Sequence, residues 1–119
     1  MSNQTTIFHK IITGEIKSNI LYQDQYVIVI NDIQPQAPIH ILIIPKQHIP
    51  TANQVNQSNK KIVGHMFYIA TKIAKMKNID QSGYRIILNC NKHAGQEISY
   101  LHLHLLGGAP LGPNISNKI

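Results

Sequence analysis

The sequence predicts an α+β domain with a mainly antiparallel β-sheet, and three observations support that fold class. The chain has 119 residues, enough for one compact domain and too few for a second of ordinary size. Hydrophobic residues make up 43% of it, the usual proportion for a protein with a packed core. Short apolar runs lie on both sides of one long helical pattern. We therefore expect a single domain, residues 1–119, with its core at about 6–110.

The first half of the chain predicts one short helix and three strands. Apolar periodicity over residues 7–12 indicates a helix of one or two turns that ends near Gly14. Residues 20–22 and 26–30 are predicted strands on either side of a polar bend. Residues 40–44 are rich in β-branched isoleucine and predict a buried strand, which a proline closes.

The second half predicts one long helix and two further strands. Ser58 is the expected N-cap of a helix that runs to about residue 76. Its buried face is predicted from one apolar stripe, in which the methionines fill the core: Ile62, Met66, Ile69, Ile73 and Met76. Residues 84–88 and 99–106 predict the last two strands. Proline and glycine make residues 111–119 an expected irregular tail.

Cysteine usage and the lengths of the apolar runs predict a cytoplasmic protein. The single cysteine, Cys90, cannot form an intrachain disulfide, and residues 1–6 lack the features of a signal peptide. The apolar runs are too short to cross a bilayer, so no membrane partner is expected. The net charge of +6 comes mostly from lysine, without an arginine-rich run or an aromatic RNA-binding signature. We therefore expect no specific nucleic-acid partner.

The most informative segment is Tyr-Leu-His-Leu-His-Leu-Leu, which begins at Tyr100. In a strand, successive side chains point to opposite faces, so the leucines share one face while Tyr100, His102 and His104 share the other. The two histidines are then about 6.6 Å apart, at about 3.3 Å per residue. A phosphate group fits between or across them, and neutral imidazole is nucleophilic near neutral pH.

Spacing alone leaves three interpretations of these histidines open. They can carry phosphoryl-transfer chemistry, as nucleophile and phosphate ligand. They can bind a metal ion, with His40 as a third ligand from another strand. They can also be ordinary polar groups on a half-exposed sheet, and the residue pattern does not distinguish the three.

The order of motifs along the chain resembles the histidine triad (HIT) family, and within it the Hint-like branch of purine nucleoside phosphoramidases. The resemblance extends from about residue 6 to residue 110. It rests on an ordered series of segments: Ile7-Phe8, Gly14-Glu15-Ile16, Asn31 to Pro38 with His40, Ile44 to His48, Asn89, Ala94-Gly95-Gln96, and His-Leu-His-Leu-Leu-Gly-Gly from His102.

The resemblance implies a fold, an assembly and a reaction. The fold is a five-stranded sheet with one long and one short helix, and two domains join their sheets in a symmetric homodimer. His102 matches the nucleophile that forms a nucleotidyl-histidine intermediate on a nucleoside phosphoramidate, and water then hydrolyses that intermediate. His104 and His40 match the histidines beside the phosphate. No cofactor is implied.

The resemblance also implies a nucleotide-binding set. Asp32 matches the carboxylate that accepts hydrogen bonds from the ribose hydroxyls, a role that suits a carboxylate. Ile7, Phe8 and Ile33 match the apolar walls around the base. The expected groups near the phosphate are Asn89, Gly95, Gln96 and Glu97.

Departures from the family pattern leave a second hypothesis, a nucleotide-binding or interaction protein with weak or no catalysis. Tyr100 stands at the position of the first triad histidine, which supports the site and does not attack. We expect this difference to affect the reaction rate and the pKa values of the site more than the class of reaction. Glu97 replaces a serine beside the leaving group, where a carboxylate repels phosphate or, if protonated, supplies a proton. Asn31 replaces a histidine beside the ribose-binding carboxylate.

Some bacterial relatives bind a structural zinc, and the sequence predicts that this chain does not. The positions that match the zinc ligands are Thr6, His9, His48 and Tyr100. A structural zinc site needs four good ligands, and threonine and tyrosine are poor ones. We therefore expect no metal.

Overall fold

Two α-helices, two three-residue 3-10 helices (Ala52–Gln54 and Lys92–Ala94) and five strands lie within residues 5–115, the part of the chain that the computed structural model describes. The α-helices and strands position the site. In chain order they are α1 (Ile7–Thr13), β1 (Ile20–Gln23), β2 (Val27–Asn31), β3 (Ile39–Pro45), α2 (Lys60–Met76), β4 (Tyr84–Ile87) and β5 (Leu103–Gly107). Residues 111–115 contain no helix or strand, as predicted, whereas 116–119 of the expected tail lie outside the described residues. Residues 1–4 also lie outside the described residues; they belong to the N-terminal segment expected to lack the features of a signal peptide. Across 5–115, no helix combines the length and apolar composition that a bilayer crossing requires.

The sheet is antiparallel throughout, with the strand order β1-β2-β3-β5-β4. β3 lies at its centre and pairs Leu42 with His104 of β5. His40 pairs with Leu106, so the register places His104 diagonally across from His40 on the same face of the sheet. The predicted fold class and strand count are confirmed.

Two separate apolar clusters lie on the two faces of the sheet, one on each face. One face packs against α2 and includes Leu101, Leu103 and Leu105. The opposite face packs against α1 and includes Phe8 and Tyr100. The predicted alternation is therefore confirmed, and it leaves the histidine face next to the short N-terminal helix.

Two details of the long helix differ from the sequence prediction. The N-cap is Asn59 and not Ser58, because Asn59 Oδ1 accepts a hydrogen bond from the Asn56 amide and shapes the preceding turn. Met76 is 55% exposed, so it is not core filler, although Met66 is fully buried. The helix ends at Met76, and alanines 70 and 74 complete the buried face instead.

The last strand begins four residues later than predicted, at Leu103 instead of residue 99. On the β5 side, the pairing of β3 stops at Ile43, opposite Leu103, and Pro45 two residues further on has no N–H to donate to a neighbouring strand. The chain beside it bends away, and the Leu101 amide donates to the Ile49 carbonyl at 2.7 Å. His102 therefore lies immediately before β5, whereas His104 lies within it.

Candidate functional site

A cavity of about 650 Å³ opens on the histidine face of the sheet, between α1 and the ends of β2 and β3. Its walls bring together all the residues predicted for the site except Tyr100: Ile7, Phe8, Asp32, Ile33, His40, Asn89, Gly95, Gln96, Glu97, His102 and His104. Phe8 is almost fully buried at the base of the wall, whereas Ile33 is 86% exposed at the rim. The cavity has the size of a small-molecule pocket.

His102 is held by the backbone two residues before it. Its Nδ1 lies 2.7 Å from the Tyr100 carbonyl oxygen. A carbonyl oxygen only accepts, so Nδ1 carries the proton and the neutral ring keeps its lone pair on Nε2. Burial lowers the pKa of His102, and the bond to the carbonyl opposes that shift in part. The Phe8 ring packs edge-on against the imidazole at 4.9 Å between centroids. The His102 imidazole is therefore neutral at pH 7 and held in one orientation, with the Nε2 lone pair free.

His40 and His104 form a directed hydrogen-bond chain. The Gln36 N–H donates to His40 Nδ1 at 3.0 Å, so the neutral ring carries its proton on Nε2. His40 Nε2 lies 2.8 Å from His104 Nδ1 and donates to it. His104 then carries its own proton on Nε2, which makes that atom a donor. Burial lowers the pKa of His40, and it lowers the pKa of His104 to about 4 with the help of the neighbouring histidines.

Asp32 follows the last residue of β2 and keeps much of its hydrogen-bonding capacity free. Its Oδ1 accepts from the Gln34 amide at 2.8 Å, while Oδ2 lies 3.4 Å from His40 Nε2. The side chain is 19% exposed at the cavity wall. A carboxylate has about four acceptor sites, so Asp32 can accept further donors from a ligand.

The loop that precedes the histidine segment uses most of its polar groups to hold its own shape. Asn89 Nδ2 donates to the Ala94 carbonyl at 2.8 Å. The amides of Gly95 and Gln96 donate to the carbonyls of Lys92 and Asn91. Gly95 has a φ of 77°, a left-handed conformation that glycine adopts without strain. Phosphate binding by this loop stays a prediction.

Tyr100 turns its side chain away from the cavity. It is 1% exposed, and its hydroxyl donates to the Pro45 carbonyl at 2.6 Å. Burial raises the pKa of Tyr100 to about 12, so the hydroxyl stays protonated. What Tyr100 presents toward the site is its backbone carbonyl, which accepts the bond from His102 Nδ1. With tyrosine at this position, the bond that sets the tautomer of His102 is therefore present.

The four positions matched to a structural zinc lie together but do not fit the metal. His9 Nδ1 accepts from the Thr6 amide at 2.9 Å within the N-terminal capping box of α1. His48 Nε2 lies 3.0 Å from the Ser99 carbonyl and donates to it. The Tyr100 ring stacks on His48 with 4.7 Å between centroids. Protein hydrogen bonds thus engage one nitrogen of each histidine and the hydroxyl of Tyr100, and threonine and tyrosine are poor zinc ligands.

One cluster within residues 5–115 has the donor set for a cation: Asp32, His40 and His104, whose ligand atoms lie within 4.8 Å of one another. The metal-binding alternative considered above combined His40 and His104 with His102. In this cluster Asp32 takes the place of His102. The 2.8 Å bond between the two imidazoles occupies one nitrogen of each. A metal ion bound at those atoms would have to break that bond.

Sequence reasoning missed several residues of the site. Gln36 sets the His40 tautomer through its backbone, and its position in the turn four residues before His40 was the available signal. Lys17 contributes the single Lys or Arg side chain among the described residues that line the cavity, and no motif marks it. A second cavity of about 380 Å³ adjoins Glu97, between α1 and His48.

Comparison with known proteins agrees with this geometry. The family model of the HIT domain matches residues 13–111. Purine nucleoside phosphoramidase of Escherichia coli is 51% identical over 115 residues, 97% of each chain. The HIT family hydrolase of Clostridium thermocellum superposes with a TM-score of 0.91 at 45% identity, over 97% of this chain and all of the other. A histidine triad protein of Clostridium difficile gives 0.89 at 42%, over 98% and all of the other.

Proposed function

Because this chain belongs to the HIT domain family, we propose that it is a hydrolase or transferase that cleaves purine nucleoside 5′-phosphoramidates through a nucleotidyl-His102 intermediate. The observation that carries the proposal is the 2.7 Å bond from His102 Nδ1 to the Tyr100 carbonyl, in a side chain that lines the cavity. That bond leaves the Nε2 lone pair available for attack on phosphorus. The similarity to the E. coli phosphoramidase supports the substrate class.

In the first step, His102 Nε2 attacks the α-phosphorus. An N–P bond to His102 forms, the P–N bond to the amine breaks, and the departing nitrogen takes a proton from solvent. The product amine leaves, and the nucleoside monophosphate stays bound to His102. A neutral nucleophile is required, which explains the value of a buried imidazole with a lowered pKa.

In the second step, water attacks the same phosphorus and the bond to His102 breaks. The electron pair returns to Nε2, the nucleoside monophosphate departs, and solvent takes the protons that the water releases. His104 assists both steps by donating from Nε2 to a phosphate oxygen, since the chain from Gln36 through His40 fixes that proton. A donor fixed before charge develops is an effective stabiliser of the transition state.

The rest of the cavity binds the nucleoside. Asp32 accepts the ribose hydroxyls on the sites that its two present contacts leave open. Ile7 and Ile33, exposed at the cavity rim, lie against the faces of the base, and Phe8 backs them from the core. Asn89 and residues 95–97 border the phosphate. Glu97, which also lines the second cavity, contacts the leaving group.

We further propose a homodimer in which two sheets become continuous. β4 lies at one edge of the sheet and pairs only with β5 within residues 5–115. An edge strand presents unpaired N–H and C=O groups to another chain. Nearby, α2 exposes Phe67 at 42%. Sedimentation velocity should give about twice the chain mass of 13.4 kDa, and a mass of one chain would reject the dimer.

The test of function compares wild type with His102→Ala on a fluorogenic adenosine phosphoramidate. We expect the variant to lose at least about 10³-fold in turnover, because it has no nucleophile. A rapid quench of the wild type should also show an intact mass increased by one nucleotidyl group. His93→Ala is the matched control, since His93 is exposed and does not line the cavity.

Three outcomes separate the hypotheses. Equal turnover by wild type and His102→Ala would reject the covalent mechanism. Binding of AMP without turnover by either protein would establish the non-catalytic alternative. Stoichiometric metal in protein purified without chelator, lost in His104→Ala, would establish the metal-binding alternative.

A further inference from the structure

The segment that leads to His102 has no regular secondary structure to hold it. Residues 95–102 belong to neither a helix nor a strand, and β5 begins only at Leu103. The nucleophile must nonetheless keep a fixed orientation toward phosphorus, because misplacement of a reacting group by about 1 Å costs a large part of its rate. Other contacts must therefore position His102.

Pro45 at the end of β3 and residues 46–50, which follow it, form the support for this segment. The Leu101 amide donates to the Ile49 carbonyl at 2.7 Å, and Gln96 Nε2 donates to the Pro50 carbonyl at 2.9 Å. The Tyr100 hydroxyl donates to the carbonyls of Pro45 and Lys46, at 2.6 and 3.1 Å. Of these side-chain bonds, only those of Tyr100 reach back to the end of the central strand.

We propose that Tyr100 is a positioning residue for His102. Its hydroxyl binds the end of β3, and its backbone carbonyl accepts the hydrogen bond from His102 Nδ1. The two ends of one residue thus connect the rigid centre of the sheet to the nucleophile. The proposal rests on the nucleophilic role of His102 stated above. It assigns a mechanical role to the residue that replaces the first triad histidine.

Packing leaves the Tyr100 ring little freedom to move. The ring stacks on His48 with an interplanar angle of 26° and meets Phe8 edge-on at 5.8 Å. Phe8 in turn contacts the His102 ring. Tyr100 therefore holds the nucleophile by two routes, the carbonyl bond and the Phe8 contact, and only the first depends on the hydroxyl anchor.

The direct test is Tyr100→Phe, which keeps the ring and removes the anchor. We expect kcat to fall about tenfold while KM stays within about twofold, since one oriented hydrogen bond is lost. The acid limb of the kcat/KM profile should move to lower pH, because the carbonyl bond raises the pKa of His102 and the variant weakens it. Tyr68→Phe is the matched control, since Tyr68 is 58% exposed and remote from the cavity.

A second readout needs no substrate. In protein labelled with ¹⁵N-histidine, the ring signals of wild-type His102 should show the Nδ1–H tautomer, and Tyr100→Phe should show a mixture with Nε2–H. This measurement decides the positioning role even if wild type fails to turn over phosphoramidates, so failure of this proposal and failure of the proposed function are distinguishable.

An unchanged tautomer, kcat and pH profile in Tyr100→Phe, with only a lower Tm, would overturn the proposal and leave Tyr100 a purely structural residue. If Tyr100→Phe does not fold by circular dichroism, Tyr100→Leu serves instead. Its side chain has no hydrogen-bond donor for the Pro45 carbonyl, and the same tautomer mixture is expected. A pure Nδ1–H tautomer in that variant would equally overturn the proposal.

Discussion

Two histidine–aspartate pairs in this protein differ in how many hydrogen bonds the carboxylate accepts. His65 of α2 meets Asp24 of the β1–β2 turn at 2.7 Å, whereas His40 of β3 meets Asp32 at 3.4 Å. Asp24 also accepts from the Tyr22 hydroxyl and from the amides of residues 26 and 27. Asp32 accepts one further bond, from the Gln34 amide.

The difference lies in how many acceptor sites each carboxylate has already filled. Asp24 has four donors, and they hold the β1–β2 turn and connect it to α2. These bonds hold the pKa of Asp24 well below its usual range, even though burial acts in the opposite direction. Asp32 retains open acceptor sites at a cavity wall. A saturated carboxylate stabilises the fold, and an unsaturated one can bind a ligand.

The largest expected effect is on stability, from Asp24→Ala. The substitution removes an acceptor from four donors, two of them backbone amides, so we expect the free energy of unfolding to fall by about 3 kcal/mol. Urea titration measures it, and Tm should fall by about 10 °C. Turnover at 20 °C should stay within about twofold of wild type. A large loss of turnover in the folded variant would contradict the division of roles between the two pairs.

Asp32→Asn should have the opposite effect, with a large change in substrate binding and a small change in stability. We expect KM for the nucleoside phosphoramidate to rise about 30-fold, because a charged acceptor for the ribose hydroxyls is lost. Tm should change by less than about 3 °C, since the asparagine oxygen still accepts from the Gln34 amide. A 2′,3′-dideoxy substrate is the control, and its KM should not respond to the substitution. A response equal to that of the ribose substrate would show that Asp32 acts elsewhere.

The histidines of the candidate site and the Asp24 carboxylate should also respond to different ranges of pH. Burial lowers the pKa of His102 below 6.5, so kcat/KM should fall about tenfold per pH unit once pH drops below that lowered pKa. The pKa of His104 lies at about 4, below the unfolded value of 6.5. Between these values the unfolded chain binds more protons, so stability decreases as pH falls through that window.

The stabilising contribution of Asp24 has a lower pH window. Its folded pKa lies below the unfolded value of about 3.9, so the contribution is fully present above that pH and is lost only in stronger acid. At pH 5, His104→Gln should therefore recover part of the acid-induced loss of Tm, whereas Asp24→Ala should show the same loss as wild type. Parallel Tm curves for wild type and His104→Gln between pH 4 and 6.5 would contradict this assignment.

The sequence predicted the fold class, the strand count and the two faces of the histidine segment, because period-two alternation and buried isoleucine runs are local signals. The start of β5 was wrong by four residues, since it depends on where the partner strand meets Pro45. The N-cap at Ser58 was wrong, because Asn59 folds back onto Asn56. The Asp24–His65 pair joins residues 41 positions apart, and no local pattern marks such a contact.

The smallest effect is expected from His65→Ala. Asp24 keeps three of its four donors, and the pair is partly exposed, at 26% for His65 and 22% for Asp24. Solvent screens such a pair, so we expect a loss of about 1 kcal/mol or less in urea unfolding. In a double-mutant cycle with Asp24→Ala, the coupling energy should account for most of that loss, because His65 has no other hydrogen-bond partner among residues 5–115. Zero coupling would mean that His65 stabilises the turn only through its ring contacts with Tyr26 and Tyr68.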